Sequence, residues 1–206
     1  MGNARCVTML PMTEPAPIRE HALNNLRYIR DAMERAGSFT SIPGWGGFLI
    51  GVTAVVACAL AQRAVSDPQA WLRVWLIEAG VAAAIAAVTM TRKWRRTETP
   101  FMSSVARRFF VSYFAPLIAG AALTFTLVHR GSFDPLPAVW LLLYGTAFVS
   151  SGAFSIRVIP LMGICFMLLG VLAALVRLPV GNLVLGAGFG GLHIIFGFII
   201  ARRYGG

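Results

Sequence analysis

The stretch WGGFLIGVTAVVACALAQ at residues 45–62 decides how this chain reads. It carries no charge over its whole length, and a helix needs roughly 20 predominantly apolar residues to cross a hydrocarbon core. Five more stretches share that character, at 71–91, 109–129, 136–154, 158–178 and 180–201. Any one of them could be a buried helix of a soluble domain. Six in 206 residues leave too little polar sequence to cover them. The expected fold is therefore an all-α integral membrane protein with six transmembrane helices at 45–206, preceded by a cytoplasmic segment at 1–44.

Composition agrees. Hydrophobic residues make up 57% and charged residues 13%, against about 25% charged in a typical soluble domain. These figures exclude a disordered tail and an ordinary cytosolic enzyme, and three cysteines exclude a disulfide scaffold. The net charge of +10 leaves two options, a membrane protein with biased loops or a nucleic-acid binder. Sorting the bases by side separates them. With the N-terminus inside, the cytoplasmic segments hold 14 of the 18 Lys and Arg residues. Arg63, Arg73, Arg130 and Arg177 remain for the outer side. That asymmetry is the positive-inside pattern with both termini cytoplasmic, in a multi-pass protein of a bacterial-type inner membrane. The charge then records topology, and no nucleic-acid partner is expected. Trp45, Trp71, Trp75, Trp94 and Trp140 lie near span ends, where an aromatic belt would place them. The first apolar run begins too far into the chain for a secretory signal peptide, and Met9 and Met12 are both plausible alternative starts.

The cytoplasmic side has two features. Residues 18–36, IREHALNNLRYIRDAMERA, form an amphipathic helix. Ile18, Ala22, Leu26, Ile29, Met33 and Ala36 fall on one face, with Pro17 before it and Gly37 after. It reads as a helix lying on the membrane surface, or as one docking a protein partner. The second feature is TRKWRRTETPFMSSVARR at 91–108. Arg92, Lys93, Arg95, Arg96, Arg107 and Arg108 read as a topology anchor touching anionic lipid head groups.

Ionisable groups inside spans are costly and point to function by default. Glu78 is the one acid well inside a span. Counting about 1.5 Å per residue puts Thr53, Thr124 and Tyr144 in the same outer half, where they could line a polar pocket with it. Glu78 is then either a satisfied group that holds helices together or a proton-, cation- or ligand-binding site. His193 comes out deeper, level with Cys165 and near Ser150 and Ser151, and Glu78 and His193 are not expected to pair directly. Pro116 interrupts the third span, which a membrane helix tolerates when a neighbour satisfies the freed carbonyl.

No cofactor and no metal are expected. One mid-membrane histidine cannot supply two haem ligands, and Cys6, Cys58 and Cys165 show no paired spacing. GAGFGG at 186–191 matches a dinucleotide fingerprint by letter but lies inside an apolar span with no strand before it. Gly186 with Gly190, and Gly47 with Gly51, instead make small-xxx-small faces for close helix packing, within one chain or between copies. Enzyme signatures such as H-E-x-x-H, G-x-S-x-G or a Walker loop are absent, and no Asp lies in a span. The expected function is a non-enzymatic accessory or regulatory subunit that docks a partner through residues 18–36 and its glycine-lined faces. The alternative is a small proton- or cation-coupled transporter or channel using Glu78, with Tyr144 and His193 along the route.

Overall fold

A computed structural model of the chain describes residues 23–29, 43–95 and 103–204. The chain divides into two compact units, Met1–Ala36 and Gly37–Gly206. In the first, residues 23–29 are helical, and Leu26 and Ile29 are exposed. The rest of the amphipathic stretch 18–36 lies outside the described residues.

The second unit is all-helical among its described residues. Its helices are α1 (Gly44–Arg63), α2 (Pro68–Arg95), α3 (Ser104–His129), α4 (Leu136–Gly152), α5 (Val158–Ala174) and α6 (Leu178–Tyr204). Helices α1, α2, α3 and α6 are long and apolar enough to cross a membrane, and α4 and α5 are shorter apolar helices of 17 residues each. Four of the six thus meet the length that the sequence assigns to all six. The helices also run past the apolar stretches at α2, α3 and α6, because backbone hydrogen bonding continues through Arg92–Arg95, Arg107 and Arg202, where hydropathy ends.

Local chemistry sets the ends. Asp67 Oδ1 accepts from the Gln69 and Ala70 N–H groups at 3.0 and 3.1 Å, capping α2, and Pro68 occupies its first position. Ser103 Oγ accepts from Ala106 N–H and caps α3. After α3 the chain reverses at Gly131, whose φ of +69° suits a residue without Cβ. Asp134 Oδ1 accepts from Leu178 N–H at 3.0 Å, so the turn after α3 caps the start of α6.

Glycine decides how closely the helices approach. The α1 face of Gly44, Gly47 and Gly51 runs antiparallel against the α6 face of Gly186, Gly190, Gly197 and Ala201. A Cβ on Gly51 would stand 2.7 Å from the Gly190 carbonyl oxygen, and one on Gly186 would strike the Cys58 Sγ. A second seam joins α4 to α5, where a Cβ on Gly145 or on Gly163 would stand 2.6 Å from the other's carbonyl oxygen. Without a hydrophobic drive between helices in lipid, backbone approach through small residues is what holds such a bundle. Outside the seams the surface is apolar: the candidate spans in α2 and α3 are only 11% and 6% buried, with Ile77, Ile118 and Phe125 exposed. Water would not tolerate that display, whereas acyl chains solvate it.

Candidate functional site

Glu78 lies about three turns into α2 and is buried. Its Oε1 accepts from the Thr53 hydroxyl of α1 at 2.8 Å. The same hydroxyl lies 2.9 Å from the Ile50 carbonyl oxygen. One proton and two lone pairs let it donate to a carboxylate, or accept from a carboxyl while donating to Ile50. Both forms of Glu78 have a partner here.

The other residues expected around Glu78 are engaged elsewhere. Thr124 Oγ1 accepts from Trp140 Nε1 at 2.8 Å and donates to the Gly120 carbonyl at 2.7 Å, joining α3 to α4. Tyr144 Oη lies 2.9 Å from His193 Nε2, joining α4 to α6. The single pocket expected from depth counting is replaced by three separate pairs. That counting assumes straight α-helices starting from one plane. Residues Gly186–Leu192 are instead wound as a π-helix directly before His193, a winding that adds a residue per turn and is common at functional sites.

His193 is buried in an aromatic box. Phe189 stacks on it at 18°, and Phe166 meets it edge-on at 5.4 Å. Phe148 lies edge-on at 6.4 Å, and Tyr113 stands edge-on to Tyr144 at 6.3 Å. His193 Nδ1 is buried and has no hydrogen-bond partner among the described residues. The inner polar layer expected from His193, Cys165, Ser150 and Ser151 does not form, since each serine bonds carbonyls instead: Ser151 Oγ donates to Ala147 O at 2.7 Å. Ser150 Oγ lies 2.9 Å from the Ser112 carbonyl. That carbonyl is the one Pro116, four residues on, cannot satisfy for want of an N–H. Ser150 supplies the missing donor across the helix interface.

The strongest polar centre is one the sequence reading passed over. Asn182 of α6 is fully buried. Its Oδ1 accepts from Trp71 Nε1 and Trp75 Nε1, both at 2.9 Å. Its Nδ2 donates to Cys58 O at 3.2 Å and to Gln62 Oε1 at 2.6 Å. All four hydrogen-bonding positions of the amide are filled, tying α1, α2 and α6 together. Trp71 and Trp75 therefore correct the belt assignment: both are buried with their indole N–H groups turned inward to Asn182. Trp71 also stacks on Trp140 at 5.6 Å. The available signal was an Asn inside an apolar span, where an amide must find partners.

The basic residues sit at helix ends. Arg92, Lys93 and Arg95 close α2, Arg107 and Arg108 open α3, and Arg202 and Arg203 close α6. Lys93 Nζ lies 3.5 Å from Tyr204 O, bringing the ends of α2 and α6 together. Arg96 lies outside the described residues. Among the described residues no three His, Cys, Asp or Glu side chains converge as metal ligands do. Comparison with protein-family models, with curated proteins and with solved structures finds no match.

Proposed function

We propose that this is a non-enzymatic six-span protein of a bacterial-type cytoplasmic membrane, with both termini inside. On this reading it is an accessory or regulatory subunit that docks a partner through the amphipathic stretch 18–36. Helices α4 and α5, at about 25 Å each, are at the short limit for a span and are closely seamed as a hairpin. Counting them as spans collects Arg92, Lys93, Arg95, Arg107, Arg108, Arg157, Arg202 and Arg203 at one end, which the positive-inside rule makes cytoplasmic and places against anionic head groups.

The observation that carries the subunit reading is internal satisfaction. The faces of Gly47, Gly51, Gly186 and Gly190 are filled by each other. Glu78, Thr124, Tyr144 and Asn182 each have partners inside the chain. Apart from the apolar helix surfaces that acyl chains can cover, the N-terminal stretch also exposes apolar side chains, Leu23, Leu26 and Ile29 among the described residues. Docking through the glycine faces, one part of the sequence expectation, has no support from this arrangement. The test is deletion of residues 1–36 followed by native co-purification in mild detergent. The expected result is loss of a partner held by the full chain, and retention of every partner overturns the reading.

A second reading rests on Glu78 itself, an acid inside a candidate span whose Thr53 partner serves both protonation states. As a proton- or cation-coupled carrier, the protein would lose uptake in reconstituted vesicles on Glu78→Gln. The amide still accepts from Thr53, so the fold is kept. Unchanged transport by that variant eliminates the role.

A further inference from the structure

A cleft of about 550 Å³ opens on the flank of the bundle between α1 and α6. Its apolar part is formed by Val55, Cys58, Ala59, Leu183 and Gly186. Gln62 and Arg63 line its far end, at the last turn of α1. Over the eight residues from Val55 to Arg63 the helix rises about 12 Å, so the cleft runs from the end of a candidate span toward its middle.

The polar end is built to donate. Gln62 Oε1 is taken by Asn182 Nδ2 at 2.6 Å, which leaves the amide N–H groups of Gln62 for the cleft it lines. Arg63 is exposed, and among the described residues no carboxylate pairs with it. The nearest acid in sequence, Asp67, is occupied in capping α2. Among the described residues, two donor groups without an acceptor, one of them cationic, thus stand at the end of a candidate span beside an apolar slot. A guanidinium binds phosphate by paired, charge-assisted hydrogen bonds, and an acyl chain is the apolar occupant that a bilayer supplies.

We propose that the α1/α6 cleft is a binding site for one membrane phospholipid, its phosphate held by Arg63 and the Gln62 amide and one acyl chain lying along Val55, Ala59 and Leu183. The site needs only that the helices lie in a bilayer. It does not depend on a docked partner, so the outcome of deleting residues 1–36 leaves it standing or falling on its own.

The test is native mass spectrometry of the full chain released from detergent. It is offered phosphatidylglycerol, diacylglycerol with the same chains but no phosphate, and inorganic phosphate. The expected result is a retained phosphatidylglycerol adduct, about fivefold weaker in Arg63→Gln, from the loss of one phosphate-binding charge. Ala59→Phe, at an exposed position where folding is not at stake, fills the slot and weakens the adduct by at least as much. Arg130→Gln, an exposed base outside the cleft, leaves it unchanged. Equal losses in Arg63→Gln and Arg130→Gln overturn the site as diffuse charge attraction. Full binding by Ala59→Phe overturns the acyl slot. Competition by inorganic phosphate identifies a free anion as the ligand, and a dimer without lipid identifies a second copy as the occupant; either overturns the proposal.

Discussion

Asn182 is the side chain on which most of the bundle's polar bonding converges. Replacing it with Leu would keep the branched heavy-atom outline but strand the buried Trp71 and Trp75 indole N–H groups. A buried polar group left without a partner costs about 1–3 kcal/mol. Asn182→Leu should therefore lower stability by at least about 2 kcal/mol, read as a fall in melting temperature in detergent. Ser150 offers a cleaner measurement, because its role exists only while residue 116 is proline. Ser150→Ala should cost about 0.6 kcal/mol in the native background. In Pro116→Ala the restored N–H satisfies Ser112, and Ser150→Ala should then cost nothing. A double-mutant cycle showing the same loss in both backgrounds would refute the substitution of one donor for the other.

Between elements, the glycine seams make graded predictions. A Cβ on Gly47 would find only the Gly197 Cα, at 3.5 Å, an ordinary contact, whereas one on Gly51 would press backbone of α6 at 2.7 Å. Gly47→Ala should be tolerated and Gly51→Ala should separate α1 from α6, losing about 1–3 kcal/mol through overpacking. Gly80 in α2 has open space around its missing Cβ. Gly80→Ala should stabilise the helix by roughly 0.5–1 kcal/mol, since alanine restricts the unfolded chain more than glycine does. Thermal unfolding of the three variants under one detergent condition ranks them. If Gly51→Ala melts with Gly47→Ala, the seam is looser than the backbone spacing implies.

For the whole molecule the decisive quantity is sidedness. If six helices span and both termini are inside, the turn containing Ser132 faces outward, on the side of Arg63, Arg130 and Arg177. With Cys6, Cys58 and Cys165 changed to Ser, a cysteine introduced by Ser132→Cys should react with an impermeant maleimide added to intact cells. Labelling only after lysis would reverse or break the topology. The two ends of the bundle also differ in charge density, so anionic lipid should order first at the Arg92–Arg108 end by electrostatics. The α1/α6 cleft, by the proposal above, holds its lipid through one phosphate contact at Arg63 and Gln62 and one apolar slot.

Helix content, the apolar exterior and the grouping of bases at helix ends were legible in the chain because they are one-dimensional properties: run length, periodicity and charge position survive without knowledge of neighbours. The small-xxx-small spacing likewise marked Gly47, Gly51, Gly186 and Gly190 as close-approach positions, though not which face meets which. Pairing was decided by the tertiary structure alone. Depth counted along ideal helices put Tyr144 with Glu78, but the π-wound turn before His193 and the independent starting levels of the helices brought Tyr144 to His193 instead. Trp71 and Trp75 show the same limit, since position near a span end is shared by a belt tryptophan and a buried one. Only the presence of Asn182 across the interface, with two lone pairs to fill, turned their indoles inward. Sequence determined that polar groups in this bundle must find partners, because hydrocarbon offers none; the packing of six helices determined which partners they found.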